Sequence, residues 1–110
     1  LVTYAHKLEK SESKIDWQQP AEALSRQVRA FNPFPVASTI FRGEVCKIWF
    51  ATNRVGKGNS GEIVALGTQI TVGCGDGLLD IAELQMPGAK RQTAQQFIQG
   101  QHVQLGEIFG

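Results

Sequence analysis

Arg29-Ala30-Phe31-Asn32-Pro33-Phe34-Pro35 separates two parts of the chain with different hydrophobic periods. Asn32 precedes one proline and Phe34 the other, so both residues are pushed out of the α region, and neither proline can donate a main-chain hydrogen bond. A helix on the N-terminal side must stop near Phe31. Upstream, Pro20 suits a first helical position, and Ala21, Leu24, Val28 and Phe31 fall in one stripe at the helical period. Glu22, Arg26 and Arg29 take the opposite face, with Glu22 and Arg26 at the favourable i,i+4 spacing. The pattern predicts an amphipathic helix ended by a rigid turn.

Beyond Pro35 the period becomes that of strands. Residues 36–41 and 45–52 are β-branched and aromatic runs on either side of Arg42-Gly43-Glu44, which reads as a hairpin turn. Gly56-Lys57-Gly58-Asn59-Ser60-Gly61 reads as a loop. Residues 62–66 and 69–74 flank Gly67-Thr68, and residues 78–84 follow the tight turn Gly75-Asp76-Gly77. Five short strands at this spacing predict a small, mainly β domain, a barrel or a sandwich; by analogy of fold, the barrel form is an open Greek-key barrel of the oligonucleotide-binding kind. Ile48, Ile63, Ile70, Val72, Leu79 and Ile81 are the expected inward residues, and the slip of alternation between Ile81 and Leu84 fits a bulge. Near the C-terminus, Thr93 and Gln96 have capping-box spacing, Ala94, Phe97 and Ile98 supply an apolar face, and Gly100 stands where a helix end favours a left-handed residue. A helix of one and a half turns is expected there, docked against the sheet because it is too short to stand alone.

The 110 residues suffice for one core and one domain. Residues 1–14 are polar and charge-rich, so residues 1–18 read as a linker and 19–110 as the barrel domain. Twelve glycines exceed the average usage of ~7%, which favours many tight turns over a helical bundle. No run approaches the ~20 apolar residues of a membrane span, and no charged-then-apolar leader is expected from the residues at the start of this sequence. The chain opens on Leu1 in place of methionine, as expected of a piece of a longer protein.

Chemistry-bearing groups are sparse. Gly73-Cys74-Gly75-Asp76-Gly77 joins two strands and lacks both the following helix and the lysine of a phosphate-binding loop, so it reads as a turn. Cys74 and His102 lack a third orienting residue, and Cys46 and Cys74 show no metal-ligand spacing; both thiols are expected buried and reduced. Asp76 and Asp80 have the pattern of solvated carboxylates, and Trp17, Trp49 and Phe50 have rings that could stack on bases but are expected to pack against the core. No catalytic residue or metal ligand is expected. The net charge of +1 says little, and the distribution of the basic residues has to carry any nucleic-acid reading.

The two segments Ile15-Asp16-Trp17 and Arg29 to Pro35, with Tyr4-Ala5-His6-Lys7-Leu8-Glu9-Lys10 upstream, resemble the linker and first helix of the C-terminal domain of methionyl-tRNA formyltransferases. Residues 43–51 with Lys47-Ile48-Trp49, the Gly75-Asp76-Gly77 turn, and Leu84-Gln85 through Gly88 to Lys90 match further blocks in the same order. The resemblance covers essentially the whole chain. It implies an open β-barrel that binds initiator methionyl-tRNA as an accessory to an N-terminal catalytic domain of the same chain. That domain would hold the catalytic residues and take 10-formyltetrahydrofolate as formyl donor, so this fragment is expected to be no enzyme alone and to hold no cofactor. A bacterial cytoplasmic setting follows. The basic residues expected to contact tRNA are Lys7, Lys10, Lys14, Arg26, Arg29, Lys47, Lys90 and Arg91. Three departures stand out: Ala89 precedes the Lys90-Arg91 pair where the family has a basic residue, Phe50 stands where relatives often have a basic one, and Ser60 stands where proline is common at the start of the third strand. The alternatives are a packing domain of another enzyme of the formyltransferase superfamily and a protein-interaction barrel with no nucleic-acid role.

Overall fold

Helix α1 spans Ala21–Ala30, and a computed structural model describes it within residues 13–33 and 36–110 of the chain. Pro20 lies one position earlier than the sequence suggests: it is the extended N-cap, with ψ 145°, and its carbonyl accepts the Leu24 N–H at 3.1 Å. The Ala21 N–H, left without a partner inside the helix, donates instead to the Asp76 carbonyl at 2.8 Å. The helix therefore starts on the turn between two strands. A Cβ on Gly75 in that turn would collide with the Gln18 carbonyl oxygen, so the close approach requires glycine. Ala21, Leu24, Ser25 and Val28 are buried, but Phe31 is only half-buried at the C-cap and stands outside the core. The chain has already left the helical path there, which swings the ring off the stripe. The Asn32-Pro33 peptide is cis.

The strands are β1 Ala37–Phe41, β2 Glu44–Arg54, β3 Ile63–Leu66, β4 Ile70–Gly73, β5 Leu78–Gln85 and β6 Gln92–Thr93. All pair antiparallel in the order β1-β2-β5-β4-β3, with the short β6, absent from the sequence reading, added to the far end of β5. Arg42 and Gly43 have φ of 52° and 82°, the left-handed pair of a two-residue hairpin turn whose twist matches its strands. Ile48, Ile63, Ile70, Val72, Leu79 and Ile81 all face the core, as their alternation requires. The slip in β5 is real. Lys47↔Gln85 and Ile48↔Leu84 are in register, then Phe50 pairs with Glu83 and Ala51 with Ile81, so each strand carries an irregularity.

Helix α2, Ala94–Gln101, opens on the expected capping box between Thr93 and Gln96. It runs past Gly100, and the left-handed position is taken by His102, φ 53°. The last residues, which the sequence left unassigned, lie between the two outer strands of the sheet. Gly110 and Ile40 exchange hydrogen bonds of 2.8 and 3.1 Å; Phe109 N–H donates to Gly61, and Ile63 N–H to Glu107. The C-terminal tail thus bridges β1 to β3, and its Phe109 packs on Phe41 and Trp17. Ile15 and Trp17, on the linker side of the expected boundary at 18, are buried in the same core. Trp17 Nε1 donates to Thr39 Oγ1 at 2.9 Å, and Ile15 N–H to the Ser38 carbonyl at 2.7 Å. Among the described residues the result is a mainly β antiparallel sheet with two short helices. Among the described residues no helix is long and apolar enough to cross a membrane.

Candidate nucleic-acid interface

Register assembles part of the basic set. Lys14 bridges Ser38 in parallel, Ser38 pairs with Lys47 in β1–β2, and Lys47 pairs with Gln85 in β2–β5. Paired residues share a face, and Ile48, the neighbour of Lys47, points into the core. Lys14 and Lys47 therefore stand two strands apart in one row on the outer face, both exposed. Neither makes a salt bridge among the described residues.

The β2 irregularity extends this surface. Ile48 and Ala51 are both buried, so Trp49 and Phe50 between them both turn outward. Trp49 is half-buried: its Nε1 donates to Gln85 Oε1 at 2.9 Å, and the Arg91 guanidinium lies 4.6 Å from its ring centroid. Arg91 also reaches Glu83 at 3.5 Å, and Gln85 Nε2 donates to the Ala89 carbonyl at 2.7 Å. The loop after β5 is thereby fastened to β2, and Arg91 is held beside the lysine row with half of its side chain in solvent. Phe50 is 49% exposed, so it does not pack in the core as the sequence reading expected.

The other expected contacts are distributed. Arg26 pairs with Glu22 at 3.5 Å on the open face of α1, a pair exposed enough to contribute little to stability. Arg26 shares with Lys14, Gln27 and Phe31 a surface groove of about 620 Å³ between α1 and the incoming chain. Arg29 and Lys90 are exposed, with no side-chain partner among the described residues. Lys7 and Lys10 lie outside the described residues.

Two other basic residues are structural. Arg42 holds Glu107 through two hydrogen bonds of 2.8 Å and takes the carbonyls of Gln101 and His102, so it ties the β1–β2 hairpin to the end of α2 and to the tail. Arg54 donates to Thr71 Oγ1 at 2.9 Å and to Asp80 Oδ1 at 3.0 Å, while Thr71 Oγ1 and Asp80 Oδ1 lie 2.6 Å apart. Asp80 is thus a buried, paired carboxylate and not the solvated one expected from its neighbours. Alternation with the inward Leu79 and Ile81 puts Asp80 on the face away from the core, and only the register, which places a threonine of each neighbouring strand opposite it, reveals its partners.

Burial pushes the Cys46 thiol up to about 12 and the Cys74 thiol up to about 11, the opposite of a nucleophile's environment. No group of three or more His, Cys, Asp or Glu side chains among the described residues is placed to hold a metal ion. Solvent-facing cations in a row have the charge and spacing that suit an anionic polymer.

Comparison with known proteins agrees with this architecture. Residues 7–102 match the family described as formyl transferase, C-terminal domain. Methionyl-tRNA formyltransferase of Methylobacillus flagellatus is 53% identical over 110 residues, all of this chain and 36% of the relative's length. The protein of the same description from Dechloromonas aromatica is 46% identical over 98% of this chain and 36% of its own. The chain spans about a third of these relatives. HypX from Aquifex aeolicus, in its crystal structure with tetrahydrofolic acid, superposes with a TM-score of 0.71 over 84% of this chain and 17% of that one. At 24% identity that likeness is one of fold. With the family match across most of the residues and half of them shared with a relative, this chain belongs to the formyl transferase C-terminal domain family.

Proposed function

We propose that this domain is the tRNA-binding accessory part of a methionyl-tRNA formyltransferase. The observation that carries this reading is the outer row of Lys14, Ser38, Lys47 and Gln85 with Arg91 fastened beside it. Cations spaced along one face suit the phosphates of a folded RNA, which give affinity and register with no sequence readout. The whole proposed contact set is Lys7, Lys10, Lys14, Arg26, Arg29, Lys47, Lys90 and Arg91. In this reading an upstream catalytic domain of the same bacterial, cytoplasmic chain transfers the formyl group from 10-formyltetrahydrofolate to the methionyl amine of initiator tRNA. The present domain holds the substrate in place.

The test is a titration of the 110-residue chain with tRNA at several salt concentrations. Lys47→Glu is compared with Lys57→Glu, which changes net charge equally but lies in the 56–61 loop, outside the proposed surface. Lys47→Glu should weaken binding more and lower the slope of log K against log salt by roughly 0.7–0.9 for a lost phosphate contact. Equal losses would leave only net charge as the cause and would remove the proposed surface.

A further inference from the structure

Resting on the tRNA-binding reading, we propose that Phe50 is a stacking contact of the RNA surface, an aromatic ring that receives an unpaired base of the bound tRNA. A single exposed apolar side chain needs no explanation by itself, and Val55, 96% exposed beyond the end of β2, is such a case. Phe50 differs because its direction is built. The bulge sends it outward beside Trp49, and the Asn32 side-chain amide fixes that stretch by donating to the Trp49 carbonyl at 2.9 Å.

Its surroundings select the occupant. Glu83 lies directly opposite Phe50 across the strands and carries Arg91, and Lys47 stands earlier in β2 on the same outer face. Trp49 already has a cation over its ring, whereas the Phe50 ring has neither an aromatic nor a cationic partner among the described residues. A protein-docking site would need a contiguous apolar patch, and Lys47, Glu83 and Arg91 interrupt one here. An open ring among phosphate-seeking cations is the pairing by which proteins hold single-stranded nucleotides, and it tolerates any base because every base offers a π face.

The experiment is tRNA titration of the 110-residue chain as wild type, Phe50→Tyr, Phe50→Leu and Phe50→Ala at several salt concentrations, with urea midpoints measured alongside. Phe50→Tyr should bind as wild type does. Leucine and alanine should each weaken binding roughly 5- to 150-fold, the range of one lost base stack, with the wild-type salt slope intact because no charge is removed. Urea midpoints near that of wild type would place these losses in the bound state. Wild-type binding by Phe50→Ala would overturn the stacking contact while leaving the phosphate surface standing. Full binding by Phe50→Leu would overturn it in favour of plain apolar packing. A wild-type chain that shows no salt-dependent tRNA binding would remove the underlying reading together with this one.

Discussion

The side-chain amide of Asn32 donates to the main-chain carbonyl of Trp49 at 2.9 Å, joining the turn after α1 to the irregularity in β2. A bulge leaves a main-chain group without its ladder partner, and an amide side chain from a rigid turn supplies one. The Asn-Pro pair that stops the helix is therefore also the pair that holds the outward stretch Trp49-Phe50 in place. One sequence feature ends α1 and positions the candidate interface.

Replacing Asn32 by alanine should cost about 0.5–1.5 kcal/mol, the net value of an ordinary hydrogen bond. Asn32→Asp keeps the shape and the turn preference but cannot donate, so it should restore none of the loss that depends on the bond. Urea unfolding followed by tryptophan emission measures both. An aspartate variant as stable as the asparagine protein would show that the bond contributes nothing.

The core assignment of α1 makes an ordering. Leu24 is 1% exposed and in the central cluster, so Leu24→Ala should cost about 2–5 kcal/mol. Phe31→Ala, at a half-buried cap position, should cost less than Leu24→Ala despite the larger ring removed. Arg29→Ala, on the open face, should stay within about 0.5 kcal/mol of the parent. Chemical denaturation of the three variants checks the order, and a Phe31→Ala loss exceeding that of Leu24→Ala would return Phe31 to the core.

What the sequence disclosed follows from how local each signal is. Helix α1, the capping box of α2 and five of the strands were legible because period, caps and turn residues act over a few positions. The inward residues followed from alternation alone. Long-range partners were not legible. The tail gave no strand pattern, since its bonds to Ile40, Gly61 and Ile63 exist only after the sheet has brought β1 and β3 near each other. Asp80 looked solvated because a carboxylate usually is, and only tertiary pairing puts Arg54 and Thr71 on it. In the candidate interface, the residue types were legible but not their grouping. Lys14 and Lys47 are 33 positions apart in the chain, and only the cross-strand register places them in one row.

The tail's attachment carries a pH signature. Arg42 holds the Glu107 carboxyl below the usual carboxylate range, chiefly by its side-chain hydrogen bonds; partial burial opposes this, while the Gln104 N–H and the charge of Arg42 assist. A carboxylate whose pKa is depressed by folding adds stability that is complete above its unfolded value, ~4.3 for glutamate, and is lost as pH falls through the folded value. Glu107→Gln cannot titrate. The difference in melting temperature between wild type and Glu107→Gln should therefore stay constant from about pH 7 down to about pH 5, with wild type the more stable, and shrink below that. Thermal unfolding followed by circular dichroism over this range measures it. Arg42 remains protonated throughout, its pKa raised by the same partner, so the change belongs to the carboxylate. A gap that keeps its size at about pH 3 would mean that the charge of Glu107 contributes nothing to closing the tail onto the β1–β2 hairpin.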